Sequence, residues 1–386
     1  MHVIVAGGGV AGAACAVALR RIGAEVTVYE AYADPAGSVG SFISLARNGL
    51  GALETLGCVD AVRRAGFEVD RQLMWSGSGR LLGDMPRGRP SGDPVRSITL
   101  MRGRLVEELR AAARRAGARI VTGARLTGAR LTGAEAVPGG VRATFAGGRT
   151  AEADLLVGAD GIWSATRRIL DPGAPEPAYA GFYSASGISA GVPGIAPQSF
   201  NMTFGRNGVF AHIAVPDGTV WWTAQVSTPT PPALDEIDLK TVARLYREEK
   251  MPAAVLQATT AWHRPTLNHA MPVIPVWRDD RTVLVGDAKH PVGSGQGASM
   301  ALEDAVVLAT ALHTAGSVPQ ALADYEARRR ARMARMAKAA GLNREAKTAG
   351  PIGRRIRGLV LPLLFRYGYE RATAWLYTEA PGPLPV

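Results

Sequence analysis

Cysteine is scarce in this chain, with only Cys15 and Cys58 among 386 residues. Two cysteines build neither a disulfide framework nor a metal site, and no Cys-x-x-Cys redox pair exists. Long hydrophobic runs are missing too, and none reaches the length of a membrane-spanning helix. The first six residues already begin a core strand, so no signal peptide is expected. These absences set the expectation of a cytoplasmic protein in which Cys15 is a small core residue. Lysine is rare, at positions 240, 250, 289, 338 and 347, although the net charge is +11. The positive charge is nearly all arginine, scattered and not interleaved with exposed aromatics. That distribution argues against a nucleic-acid partner; compositional drift and phosphate-bearing cofactors account for it.

What is present is concentrated at the N-terminus. Val3-Ile4-Val5-Ala6 reads as a buried strand, followed by Gly7-Gly8-Gly9-Val10-Ala11-Gly12. A small-residue helix runs from Ala13 to Arg21, and Val26-Thr27-Val28-Tyr29 forms a second strand ending at Glu30. Strand, glycine turn, helix, strand and acid fall at the spacing of the G-x-G-x-x-G fingerprint. Gly7 lets the chain turn, Gly9 lets a pyrophosphate approach the backbone, and Gly12 lets helix and strand pack closely. The helix N-terminus offers Val10 and Ala11 N–H groups and a positive dipole end to phosphates. Glu30 is placed to accept from a ribose diol. An adenine dinucleotide follows, and this stretch alone leaves NAD and FAD both open.

Further along, helices are predicted near Asn48–Leu56 and from Met101 to Ala116, the second with Arg102 at its start. Residues 118–158 read as a meander with strands at 120–121, 126–131 and 141–145. Asp154–Gly158 reads as a buried parallel strand ending in Ala159-Asp160-Gly161, where α/β ligands sit. From Pro172 an inserted antiparallel sheet is expected, with strands at Gln198–Phe204, Val209–Val215 and Thr219–Val226. Two helices, near 239–249 and 253–259, and a strand segment through Met271-Pro272-Val273-Ile274 complete the insertion. Arg281–Val285 is another buried strand. It runs into Gly286-Asp287-Ala288-Lys289-His290 and then Gly295-Gln296-Gly297-Ala298, where a helix begins. That repeats the phosphate-binding logic of the N-terminus, with Asp287 as a hydroxyl acceptor. A large dinucleotide with one end at each site explains two such stations.

Taken together, Gly7-x-Gly9-x-x-Gly12 with Glu30, Gly158-Ala159-Asp160-Gly161-x-x-Ser164-x-x-Arg167, and Gly286-Asp287 with Gly295-Gln296-Gly297-Ala298 resemble the FAD-dependent aromatic hydroxylases. These are the group A flavoprotein monooxygenases of para-hydroxybenzoate hydroxylase type. Arg102-x-x-Leu105 matches the family as well, and the resemblance covers residues 1 to about 340. It implies an α/β fold: a Rossmann-like FAD-binding domain (1–171 and 270–340), an inserted antiparallel β-sheet substrate domain (172–269) and a C-terminal helical tail (341–386). It also implies non-covalent FAD, with the flavin under the Gly295–Ala298 turn, Glu30 on the adenosine ribose and Arg102 on the pyrophosphate or ribityl region. Asp287 would hold the ribityl chain and the Leu126 backbone would meet adenine. NADPH or NADH would reduce the flavin, and O2 would give a C4a-hydroperoxide that transfers oxygen to a small aromatic or apolar molecule. The chain departs from the family at Lys289, where alanine is usual, and in the short spacing of residues 291–294.

The resemblance leaves the catalytic residues open, because the flavin carries the hard chemistry. His212, Trp221 and Thr223 are candidate substrate contacts on the sheet that roofs the flavin, with ordinary sheet packing as the competing role. His290 reads as a loop-orienting hydrogen-bond partner. Two other functions stay open at this point: a flavin-dependent oxidase, dehydrogenase or isomerase, and a non-catalytic FAD-bearing partner protein. The tail, with Phe365 and Trp375, reads first as two helices over the body of the protein, then as a peripheral membrane helix or a dimer interface.

Overall fold

A computed structural model describes residues 1–32, 41–131, 140–272, 274–291, 295–348, 368–378 and 381–385. Its first layer is a parallel sheet in the order β18 (Thr282–Leu284), β12 (Leu155–Gly158), β1 (His2–Ala6), β2 (Glu25–Tyr29), β8 (Arg119–Val121). Side chains alternate along β1. Val3 and Val5 point into a core shared with helices α1 (Val10–Arg21), α4 (Arg102–Arg115) and α8 (Gly297–Thr314). Ile4 and Ala6 face the meander β9 (Leu126–Leu131), β10 (Val141–Phe145), β11 (Thr150–Ala153). Cover on both faces is why these strands are apolar throughout. A small sheet, β3 (Phe42–Leu45), β7 (Ser97–Met101), β4 (Phe67–Val69), leads into α2 (Arg47–Thr55).

The second large sheet has seven strands, in the order β17 (Thr259–Ala270), β13 (Ala178–Ala190), β16 (Thr219–Ser227), β15 (Gly208–Ala214), β14 (Ser199–Phe204), β5 (Arg71–Ser76), β6 (Leu81–Pro86). The sheet is therefore not made from residues 172–269 alone. β5 and β6 join it, β5 pairing in parallel with β14 from Ser199 opposite Arg71 to Phe204 opposite Ser76. On one face Phe210, Trp222, Ala224 and Val226 lie beneath α6 (Leu239–Leu245) and α7 (Lys250–Gln257). The other face is the more open one among the described residues: Trp221, Thr223 and Gln225 are half-buried where their neighbours are fully buried.

One predicted strand is corrected. β17 ends at Ala270; Met271, Pro272 and Ile274 lie outside any strand, and Val273 falls outside the described residues. Pro272 has no N–H for a ladder. Ile274 enters an apolar cluster with Trp277, Met300, Met333 and Met336, and its carbonyl accepts from Trp277 Nε1 at 2.8 Å.

The helix α9 (Val318–Thr348) and the helix α10 (Tyr369–Thr378) close the described chain. Trp375 and Leu376 pack on the methionine cluster. Arg332 donates to their carbonyls, both at 3.2 Å. Glu370 accepts from Ser91 N at 2.6 Å and Ser91 Oγ at 2.8 Å. Leu384 is buried in the main core. Phe365 and the first tail segment lie outside the described residues. No helix among the described residues is long and apolar enough to cross a membrane. Deleting everything after Gly350 is expected to destabilise the protein and promote aggregation, with Leu384 alone contributing roughly 1.5–3 kcal/mol. Thermal melts and sedimentation check this. A soluble truncation as stable as the parent, whose parent sediments with anionic vesicles at low salt, would favour the membrane reading instead.

Candidate functional site

The three glycine stations pack against one another. A Cβ at Gly7 would lie 2.5 Å from Ala159 O, and one at Gly12 would lie 1.9 Å from Gly7 O. Here glycine is demanded by close backbone contact, and Gly7 also sits at φ +97°. A Cβ at Gly286 would lie 2.7 Å from Ala11 Cβ, so the third station abuts the first helix. Arg167, fully buried, donates to Ile162 O at 2.8 Å and to Ala288 O at 3.1 Å, tying the second station to the third. Burial lowers its pKa, opposed by Asp160.

Gly9 is different. Among the described residues a Cβ there would meet no atom within 4 Å, and Gly9 caps α1 without a side-chain hydrogen bond. The first N–H groups of α1, at Val10 and Ala11, have no side-chain cap to satisfy them. The N-terminus of α8 is built alike: its cap residue Gln296 makes no side-chain cap bond, and Gln296 Oε1 is buried with no partner among the described residues. Gly295, at φ +126°, is exposed beside it, and Ala298 lies half-buried in the first turn. Asp287 Oδ1 stands 3.5 Å from where a Cβ on Gly297 would be. The Asp287 carboxylate has no hydrogen-bond partner among the described residues. Two uncapped helix ends, an orphaned amide oxygen and an open carboxylate fit a long phosphate-bearing, polyhydroxylated cofactor.

Glu30 lies between the first station and the meander. Its Oε2 accepts from Gly8 N at 2.7 Å and from Arg110 Nη2 at 3.1 Å, and its Oε1 accepts from Tyr32 N at 3.0 Å. Arg110 Nε also donates to Gly8 O at 2.6 Å. Arg110 was not foreseen: it falls on the buried Val106–Leu109–Ala113 face of α4, among arginines that read as solvated. Arg102, at the first position of α4, is exposed. The Leu126 backbone pairs opposite Phe145, whose ring stacks on Tyr29 at 4.1 Å. Asp160 turns inward: it accepts from Ser164 Oγ at 2.5 Å and from Thr166 N and Oγ1 at 2.9 and 3.0 Å, which places its carboxylate at the start of α5 (Ala165–Leu170).

Behind the third station lies a buried ionic network. Asp304 accepts from Gly286 N at 2.9 Å, His290 Nε2 at 2.5 Å, Lys289 Nζ at 3.2 Å and Arg329 Nε at 2.7 Å. His290 thus has the loop-orienting role that its position implied. Lys289 also donates to Tyr325 OH at 2.6 Å. Glu303 binds Arg329, Arg332 and Asn48 Nδ2, at 2.7, 2.6 and 2.6 Å. Burial pulls the Lys289 pKa down to about 8 against the pull of Asp304. Burial alone would raise the Asp304 pKa, but Lys289, His290 and Arg329 together hold it well below the carboxylate range. The lone lysine in Gly-Asp-Ala-Lys was the one visible signal of this network.

The three candidate substrate residues do not share a face. His212 pairs in register with Trp222, whereas Ile213 pairs with Trp221 and Ala211 with Thr223. Alternation along the strand therefore puts His212 on the helix-covered side, beside Phe210, with its Nδ1 lacking a partner among the described residues. Burial lowers its pKa to about 4, so it is neutral near pH 7. Trp221 and Thr223 lie on the open face, and Trp221 packs on Phe42 and Phe67 with centroids 6.0 and 5.4 Å apart.

Gly9→Ala is expected to leave the fold intact, changing stability by less than about 1 kcal/mol. It should weaken dinucleotide binding by roughly tenfold or more, because the methyl group occupies the space of the phosphates. Fluorescence titration with FAD and an apoprotein melt check both halves. An unchanged FAD dissociation constant would remove the phosphates from this turn.

Residues 1–340 match the family model described as FAD binding domain. The chain is 33% identical over 347 residues to an aurachin C monooxygenase/isomerase of Stigmatella aurantiaca, covering 85% of this chain and 84% of that relative. It is 29% identical over 350 residues to a 3-hydroxybenzoate 6-hydroxylase of Aquipseudomonas alcaligenes, covering 87% and 86%. A crystal structure of a Klebsiella pneumoniae HpxO variant complexed with FAD superposes with a TM-score of 0.79 at 25% identity, covering 100% of both chains.

Proposed function

The chain belongs to the FAD-binding domain family, with relatives that are flavoprotein monooxygenases, and from that premise we propose that it is an FAD-dependent monooxygenase acting on an aromatic or apolar small molecule. The overall balance is substrate, O2, NADPH or NADH and a proton giving oxygenated substrate, water and the oxidised nicotinamide. Bound FAD supplies the acceptance of hydride from the nicotinamide and the activation of O2. The protein's own contribution is to hold, orient and exclude water. The N–H groups of Val10 and Ala11 meet the pyrophosphate next to Gly9. Glu30, already fixed by Arg110, accepts from the adenosine ribose beside the Leu126 backbone. Asp287 would accept from the ribityl hydroxyls, and Arg102, at the head of α4, would meet the pyrophosphate or the ribityl region. The α8 N-terminus at Gly295, Gly297 and Ala298 directs its positive end toward developing negative charge. Asp160 acts through the second station, keeping Arg167 and Ala288 in place. Thr223 and Trp221 face the substrate from the open side of the sheet.

The observation that carries this reading is the pair of helix ends without side-chain caps, at α1 and α8, with Gly286 of the third station packed against Ala11 of the first. The purified protein should be yellow, with FAD released by heat or acid. A substrate should stimulate NAD(P)H oxidation and O2 uptake, with one atom of 18O2 appearing in the product. A colourless protein that binds no added FAD sinks the reading. A second reading, a flavin-dependent isomerase on this fold, is favoured by the Stigmatella relative being a monooxygenase/isomerase. Product formation without incorporated 18O would select it.

A further inference from the structure

The register across the seven-stranded sheet sorts its open face into rows. The row through Phe200 and Trp221 borders β3. The next row runs Met74, Met202, Ala211, Thr223, Ser186, His263. One half of it is apolar and carries two methionines; the other half presents two hydroxyls and an imidazole. The following row, through Gln225 and Ser184, is also uncharged. No carboxylate or ammonium belongs to these rows. Arg87 reaches the face at its β5 edge, with its Cζ 3.5 Å from the Phe200 ring centroid, and its guanidinium donates to Gln72. His263 is half-buried, and its Nε2 has no hydrogen-bond partner among the described residues. Burial holds its pKa below the ordinary imidazole range, so the ring is neutral near pH 7.

Resting on the monooxygenase reading, we propose that the substrate is an uncharged aromatic molecule lying with its apolar body over Ala211 and toward Met202, and that a neutral polar group on it (a phenol, a ring carbonyl or a ring N–H) meets Thr223, Ser186 and His263. His263 is then a specificity-determining residue. The physical case has three parts. Methionine thioethers are polarisable and adapt to aromatic edges and faces. A neutral imidazole offers one donor and one acceptor, matching an uncharged hydrogen-bonding group. An ionised carboxylate over Thr223, Ser186 and His263 would be desolvated with no cation in these rows to receive it.

The test titrates the FAD-loaded protein with 2-naphthol and with 3-hydroxy-2-naphthoate, which adds a carboxylate to the same ring system, and follows the flavin absorbance. The naphthol should bind at least tenfold more tightly. His263→Leu should weaken naphthol binding roughly three- to tenfold, the range of one neutral hydrogen bond, and leave FAD affinity unchanged. Thr223→Val provides the same readout should the first variant fold poorly. Equal or tighter binding of the naphthoate overturns the proposal. So does a flavin spectrum that neither compound perturbs, or an unchanged naphthol affinity in both variants. Failure of the underlying reaction would show separately: the binding preference would persist while no product carried oxygen from 18O2.

Discussion

Asp304→Ala is expected to cost roughly 3–5 kcal/mol of stability, the range for removing one partner of a buried ion pair. The carboxylate is fully buried, and so is the Lys289 ammonium; Arg329 is 3% exposed. Removing Asp304 leaves both cations without their shared counter-ion and orphans the Gly286 N–H. Lys289, whose pKa burial already depresses to about 8, would respond by losing its proton. Denaturant unfolding at pH 7 measures the loss. Asp304→Ala combined with Lys289→Met should recover part of it, because an apolar replacement needs no counter-ion. A loss below about 1 kcal/mol would show that the network is not a unit. FAD binding should weaken as well, although Asp304 itself accepts from Gly286 N, since that contact holds the turn carrying Asp287. The pH dependence has a definite sign. Asp304 is depressed below its ordinary carboxylate range, so its stabilisation is complete above about pH 4 and is lost as acid approaches the folded-state value.

Glu30→Ala should raise the FAD dissociation constant by the equivalent of roughly 1.5–3 kcal/mol, the range for hydrogen bonds to a charged group. It should also destabilise the apoprotein, because the Arg110 guanidinium, 8% exposed at its side chain, loses its carboxylate counter-ion and keeps only neutral contacts such as the Gly8 carbonyl. The double variant Glu30→Ala with Arg110→Met separates the two effects. Stability should return toward the parent value while FAD affinity stays low. Full recovery of FAD binding in the double variant would mean that Glu30 serves the cofactor only through Arg110 and does not meet the ribose.

The glycine fingerprint was legible because its causes are local. Gly12 answers to a backbone contact with Gly7 inside one strand–turn–helix unit, Gly7 to the positive φ of the turn itself, and Gly9 to the absence of any contact among the described residues, whereas the approach of Gly7 to Ala159 is long-range. The helix of Arg102–Arg115 and the meander were legible for the same reason: apolar periodicity and turn glycines act over a few residues. The β13 strand, Ala178–Ala190, was harder to see because its glycines, serines and alanines carry little β-branched signal. β5 and β6 could not be assigned to the second sheet from their own residues, since parallel pairing with β14 spans more than a hundred positions of chain.

What the sequence by itself determined, then, is the dinucleotide-binding architecture and its glycine-rich stations, since each rests on spacing within short segments. Only the tertiary structure decided which polar side chains meet. A one-residue difference in cross-strand register separates His212 from Thr223 and aligns Thr223 with Ser186 and His263. The packing of α4 turns Arg110 inward with Leu109 and Ala113 and makes it the partner of Glu30. The union of Lys289, Asp304 and Arg329 draws on a turn and two separate helices. Burial and register are set by the packing of distant segments, and distant packing has no signature in the spacing of neighbours.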